Sequence, residues 1–174
     1  MLYIKFEIKN HKNFMAFRAL YNHMLAIRTK NYKAKEDGDE IDDFIDEDKQ
    51  KIKLFDKLIP EDTSGVLGNY FSFNNAKSIL MNEDKVSYIN YLEYGFEVNL
   101  DLLERCEIGG GIVKISTGNY PFGGLERFMI TLKAFKLAPF EYFDGFNLCA
   151  INWVSDVEYD ANILSEKTKE YLIK

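Results

Sequence analysis

A chain of 174 residues, 47% of them hydrophobic, is long enough for one domain with one core and needs neither a disulfide nor a metal to fold. Its net charge of −6 sets it apart from domains that hold nucleic acid through an overall basic surface. Two widely separated cysteines exclude a disulfide framework, and no apolar run reaches the ~20 residues that a membrane-spanning helix requires.

The N-terminus, Met1 to Ile8, alternates apolar and polar residues, with Leu2, Ile4, Phe6 and Ile8 on one face, the period of a strand. It has neither the long apolar stretch nor the small-residue cleavage site of a signal peptide, so the protein is expected to stay in the cytoplasm. Asn13 is placed to cap a helix running to about Thr29. Phe17, Leu20, Met24 and Ile27 form its stripe, and Phe14, Met15 and Leu25 widen that stripe until the helix reads as buried on most sides. Residues 31–39 read as a polar connection. A second helix follows from about Glu40 to Leu58, with Ile41, Phe44, Ile45, Ile52, Phe55 and Ile59 on its apolar face and Pro60 as its stop.

Gly65 to Phe73 reads as a strand. Asn74 or Asn75 then caps a short helix to Met81, and Asn82 caps another through Tyr94, ended by Gly95. Asn99 opens a further short helix to Cys106. After Gly109, Gly110 and Gly111, residues Ile112 to Thr117 read as a strand, and Gly118 to Gly124 as a loop. Leu125, Phe128, Met129, Leu132 and Phe135 carry the clearest helical spacing in the chain. Two strands are expected at 140–143 and 146–153, joined by Asp144-Gly145, the chemistry of a two-residue turn with positive φ at both positions. Ser165 is placed to cap a final helix. The whole is expected to be a single α+β or mixed α/β domain over residues 1–174, with helices on a mixed sheet and a C-terminal β-hairpin around Asp144-Gly145. With 14 Phe and 11 Tyr beside one Trp, its core should be rich in rings, and Cys106 and Cys149 are expected in it as buried, inert thiols.

Charge is sharply partitioned. Residues 1–35 carry +7, residues 36–48 carry −9 with no base among them, and residues 49–174 carry −4. Nine like charges in thirteen positions repel one another, so solvent, the basic N-terminal segment or a cationic partner must offset them. A solvated helix face meets that need. So does an acidic docking surface built from Glu40, Asp42, Asp43, Asp46, Glu47 and Asp48, anchored by Ile41, Phe44 and Ile45.

Common catalytic patterns are missing from the sequence. His11 and His23 have no partner at metal-ligand spacing, and the acidic run is no calcium loop: counted from Asp37, Ile41 and Asp42 stand where an oxygen ligand and a glycine belong. The glycines at 109–111 lack the Lys-Ser/Thr of a phosphate-binding loop, and no nucleophile elbow occurs. No metal or other cofactor is expected. One stretch, Gly118 to Arg127, is a glycine-rich loop that feeds a helix, where Gly123, Gly124 and Arg127 would form an anion or ligand site. The basic N-terminal segment suggests nucleic acid, but its helix is mostly apolar, which disfavours that partner.

A small acidic domain with concentrated negative charge and no catalytic motif resembles, as a class, the immunity proteins of bacterial polymorphic-toxin and contact-dependent inhibition systems. The resemblance implies a protein-binding inhibitor rather than an enzyme, whose acidic surface covers the basic substrate groove of a cationic toxin domain, such as a nuclease. The alternative is a small cytosolic enzyme or ligand-binding protein that uses the Gly118–Arg127 loop.

Overall fold

A computed structural model of the chain describes residues 1–29, 41–71, 80–106, 109–117 and 124–173, with the side chains of residues 29 and 41–45 excepted. Its centre is a six-stranded antiparallel sheet: β1 (Leu2–Glu7), β2 (Asn99–Arg105), β3 (Gly110–Ser116), β4 (Pro139–Phe143), β5 (Leu148–Trp153) and β6 (Tyr159–Ile163), ordered β2-β3-β1-β4-β5-β6. The helices are α1 (His11–Thr29), α2 (Ile41–Leu58), α3 (Glu61–Phe71), α4 (Asn82–Asn90) running into a π-helical turn at Tyr91–Gly95, α5 (Leu125–Ala134) and α6 (Ser165–Leu172). The protein is an α+β fold.

The first strand takes the middle of the sheet, between β3 and β4, because both of its faces are useful. Leu2, Ile4 and Phe6 point to one side and join Val113 and Ile115 of β3 in the main core, against Phe17, Leu20 and Met24 of α1 and Phe128 and Leu132 of α5. Phe17 meets Phe128 at 5.9 Å and Phe135 at 5.6 Å edge to face, while Phe96 stacks on Phe128 at 4.8 Å. Gly111 faces Phe6 across the ladder, and any side chain there would collide with the Phe6 ring. On the other face Tyr3, Phe143 and Leu148 form a smaller cluster under Tyr171 of α6, and Lys5 pairs with Glu141 at 2.6 Å.

Several expectations need correction. Helix α1 starts at His11, where Asn10 accepts the Lys12 amide at 2.9 Å, so Asn10 and not Asn13 serves its first turn. It buries one side only, since Met15 is 44% exposed. Residues 65–71 are helical, not extended: Pro60 and two first-turn acids open α3, and Leu67 is wholly buried. Residues 99–105 form a strand instead of a helix, paired to β3 with a bulge between Leu100 and Leu102. The short helix expected from Asn74 or Asn75 lies outside the described residues. Cys149 is buried, but Cys106 is exposed.

Asp144 and Gly145 do not form a two-residue turn. The link from β4 to β5 spans residues 144–147, and there Gly145 has a φ of 100° while Asp144 has no positive φ. The Asp144 carboxylate instead accepts the amides of Phe146 (2.8 Å) and Asn147 (2.6 Å), closing the turn from the side chain. A further strand, β6, stands between β5 and the expected final helix α6, and the sheet, expected to be mixed, is antiparallel at every described pairing.

Candidate functional site

Helix α2 segregates its charge along its axis. Acids fill its first half (Asp42, Asp43, Asp46, Glu47, Asp48), while Lys49, Lys51, Lys53 and Lys57 lie towards its end. This matches the helix dipole, positive at the N-terminus and negative at the C-terminus, and so eases the repulsion within the acidic run. Asp46 and Asp48 are exposed, and Glu47 bonds to Lys51 one turn on at 2.7 Å. Glu40 and the side chains of Asp42 and Asp43 lie outside the described residues.

The last of these acids borders a groove. Between α2 and α4 is a cavity of about 370 Å³ lined by Asp48, Ile52, Asn82, Glu83, Val86 and Asn90, together with Ser87. Two carboxylates stand at a patch whose aliphatic surface comes from Ile52 and Val86, with amides and a hydroxyl between. Glu83 belongs to the first turn of α4, more than thirty positions beyond the acidic run. Only packing of α4 against α2 brings it there. Beside the groove Lys85 bonds to Asp56 at 2.6 Å and locks the two helices together.

The second candidate, the glycine loop, is described only from Gly124, and Gly123 lies outside the described residues. Gly124 has a φ of 91°, and a β-carbon there would stand 2.8 Å from the Tyr91 ring. Its carbonyl accepts the Tyr91 hydroxyl at 2.6 Å, and burial pushes that phenol well above its ordinary pKa, keeping it a donor. Arg127, on the first turn of α5, lays its guanidinium over the Phe71 ring at 5.8 Å and the Tyr91 ring at 5.5 Å. Beside it Glu126 accepts the Tyr70 hydroxyl at 3.1 Å. Arg127 thus ties α5 to α3 and the π-helical turn, and the neighbouring carboxylate opposes an anion at this point.

Sequence reasoning missed a third cluster. Arg28, at the end of α1, donates to the carbonyls of Met24 (3.0 Å), Leu92 (2.9 Å), Phe96 (2.8 Å) and Val98 (3.1 Å). Three of these belong to the π-helical turn and the chain leaving it, whose widened geometry leaves carbonyls without helical partners. Burial lowers the Arg28 pKa, and the nearby Glu93 works against that shift. Glu93 is itself buried and meets His23 Nε2 at 2.6 Å. The arrangement holds backbone in place; its partners lie far apart in sequence, and no local pattern announces it.

Among the described residues no three His, Cys, Asp or Glu side chains converge as metal ligands, and no helix is long and apolar enough to cross a membrane. Compared with protein-family models, with curated proteins and with solved structures, the chain matches none.

Proposed function

We propose that this protein is a protein-binding inhibitor, an immunity protein that acts in the cytoplasm and neutralises a cognate bacterial toxin by covering a basic groove on it. The observation that supports the reading is the α2–α4 groove. There Asp48, the last residue of the acidic run, shares the groove with a further carboxylate, Glu83, beside the aliphatic surface of Ile52 and Val86. A cationic partner would find both charge to steer its approach and apolar surface to hold it once docked. A solvated acidic face alone needs no such surface.

The test joins kinetics to protection. The probe is the C-terminal domain of a secreted protein encoded beside this gene, expressed with and without the present chain. Wild type should relieve growth arrest by that domain. Changing Asp46, Glu47, Asp48 and Glu83 to Asn or Gln should slow association by about tenfold or more at ~0.01 M salt, with the difference shrinking towards ~1 M as the Debye length falls from ~30 Å to ~3 Å. Dissociation should change less, because close packing governs escape. Unchanged association at low salt, or a domain whose toxicity the wild type does not relieve, would leave the groove without this role.

A further inference from the structure

Among the described residues the sixth strand ends the sheet with an unpaired outer edge, and two backbone bonds set its phase. Val154 N donates to Glu158 O at 2.9 Å, and Leu164 N donates to Leu148 O at 2.8 Å. The register between them is unbroken, with Ala150 opposite Asn162, Ile151 opposite Ala161 and Asn152 opposite Asp160. In an antiparallel ladder hydrogen-bonded pairs alternate with non-bonded ones. Asp160 and Asn162 therefore turn their backbone groups towards β5, while Tyr159, Ala161 and Ile163 turn theirs to the open side. No described residue supplies these three with a backbone partner. Asp160, Ala161, Asn162 and Ile163 are all exposed, Ile163 at 59%.

We propose that this edge pairs with the same edge of a second copy of the chain, antiparallel about a two-fold axis at Ala161, to make one continuous sheet across a dimer. The sequence of the strand is complementary to itself in that register. Ala161 faces Ala161 of the copy, Tyr159 faces Ile163, and Asp160 faces Asn162. The outward-turned residues all fall in hydrogen-bonded pairs, each exchanging both of its N–H···O bonds. On one face an aromatic ring meets a β-branched side chain, a favourable cross-strand pair, and Tyr159 is already braced by Trp153 at 5.2 Å. On the other face, in the closer non-bonded pair, a carboxylate meets a carboxamide that can donate to it.

Shifted registers fit worse. Centring the axis on Asp160 sets two carboxylates directly opposite each other, which is destabilising. Centring it on Asn162 runs Tyr159 past the strand of the copy and into the first residue of its α6. Asp160 thus acts as a register key, rejecting the neighbouring alignment while tolerating the right one. The contact is isologous, so it closes at two copies and does not propagate. A five-residue edge buries little surface, so the dimer should be weak, with a dissociation constant in the range of about 10 µM to about 1 mM.

Sedimentation velocity on the protein alone tests this, and its outcome is independent of any toxin. Between about 5 µM and about 1 mM, wild type should pass from monomer towards dimer. Ala161→Pro removes one outward N–H while leaving the inward ladder intact, a position where an edge strand tolerates proline, and should weaken the dimer by about tenfold or more. Asn162→Asp sets carboxylate against carboxylate on the exposed face and should weaken it comparably. Adding Asp160→Asn to Asn162→Asp restores an acid–amide pairing and should bring the dimer back to within about threefold of wild type. The reciprocal exchange keeps the proposal testable should the proline variant fail to fold. A wild type that is monomeric throughout, a dimer indifferent to Asn162→Asp, or a double variant that stays as weak as the single one would overturn it.

Discussion

Arg28 shows how a single side chain can fix backbone that regular structure leaves unsatisfied. Its planar fork reaches four carbonyls at once, which an ammonium on a flexible stem does not reproduce. Hydrogen bonds to charged donors are worth more than neutral ones, and the carbonyls they leave behind would be stranded in a partly buried site. Arg28→Lys should therefore lower unfolding free energy by about 2–4 kcal/mol, read from urea midpoints. Arg18→Lys, on the exposed side of the same helix, should change it by less than about 0.5 kcal/mol. Equal effects at the two positions would mean that the Arg28 cluster contributes no more than a surface charge.

Among the elements, α4 is set by its cap. Asp84 is buried at 4% exposure, and its carboxylate accepts the Met81 amide at 2.9 Å, satisfying a donor that the first turn leaves open. Asp84→Ala should cost about 0.5–2 kcal/mol, and Asp84→Asn, which keeps an acceptor, distinctly less. Thermal unfolding would separate the two. Because α4 forms one wall of the acidic groove, the Ala variant should also weaken any partner held there. Elements α3 and β2 show where local reading fails. Val66, Leu67, Tyr70 and Phe71 satisfy a strand's composition and a helix's spacing together, and the start at Pro60-Glu61-Asp62 decides for the helix. Leu100, Leu102, Leu103 and Glu104 favour a helix by propensity, but the open edge of β3 offers a ladder that outweighs it.

For the whole molecule, the ring-rich core links stability to alkaline pH. Burial raises the phenol pKa of Tyr88, Tyr91, Tyr3 and Tyr142, and it raises those of Tyr159 and Tyr21 to about 12. Unfolded tyrosine ionises near ~10, so the unfolded state loses these protons first as pH rises. A raised folded pKa therefore contributes stability that is fully present below ~10 and is lost as pH climbs from there through about 12 and beyond. Alkaline titration should show phenolate absorbance of these residues rising together with the loss of secondary structure by circular dichroism. Phenolates forming well before the fold is lost would contradict the burial of these rings.

Much of the fold was legible wherever the signal is local. The alternation Leu2-Ile4-Phe6 marks β1, the spacing of Leu125, Phe128, Met129 and Leu132 marks α5, and Pro60 ends α2, because each pattern is short and has one physical meaning. The acidic run was equally plain, since charge needs no fold to be counted. Placement was not. Strand β6, Tyr-Asp-Ala-Asn-Ile, carries a strand's alternation over only five residues, and its place at the sheet edge, paired with β5, follows from packing and not from that pattern. Glu83 joins Asp48, and Arg28 meets the carbonyls of Leu92, Phe96 and Val98, across long stretches of chain. Local sequence settled which segments repel, cap or turn. Tertiary packing alone decided which of them meet, because contacts between distant residues follow from how helices and sheet bury their shared apolar faces, not from the spacing within any one segment.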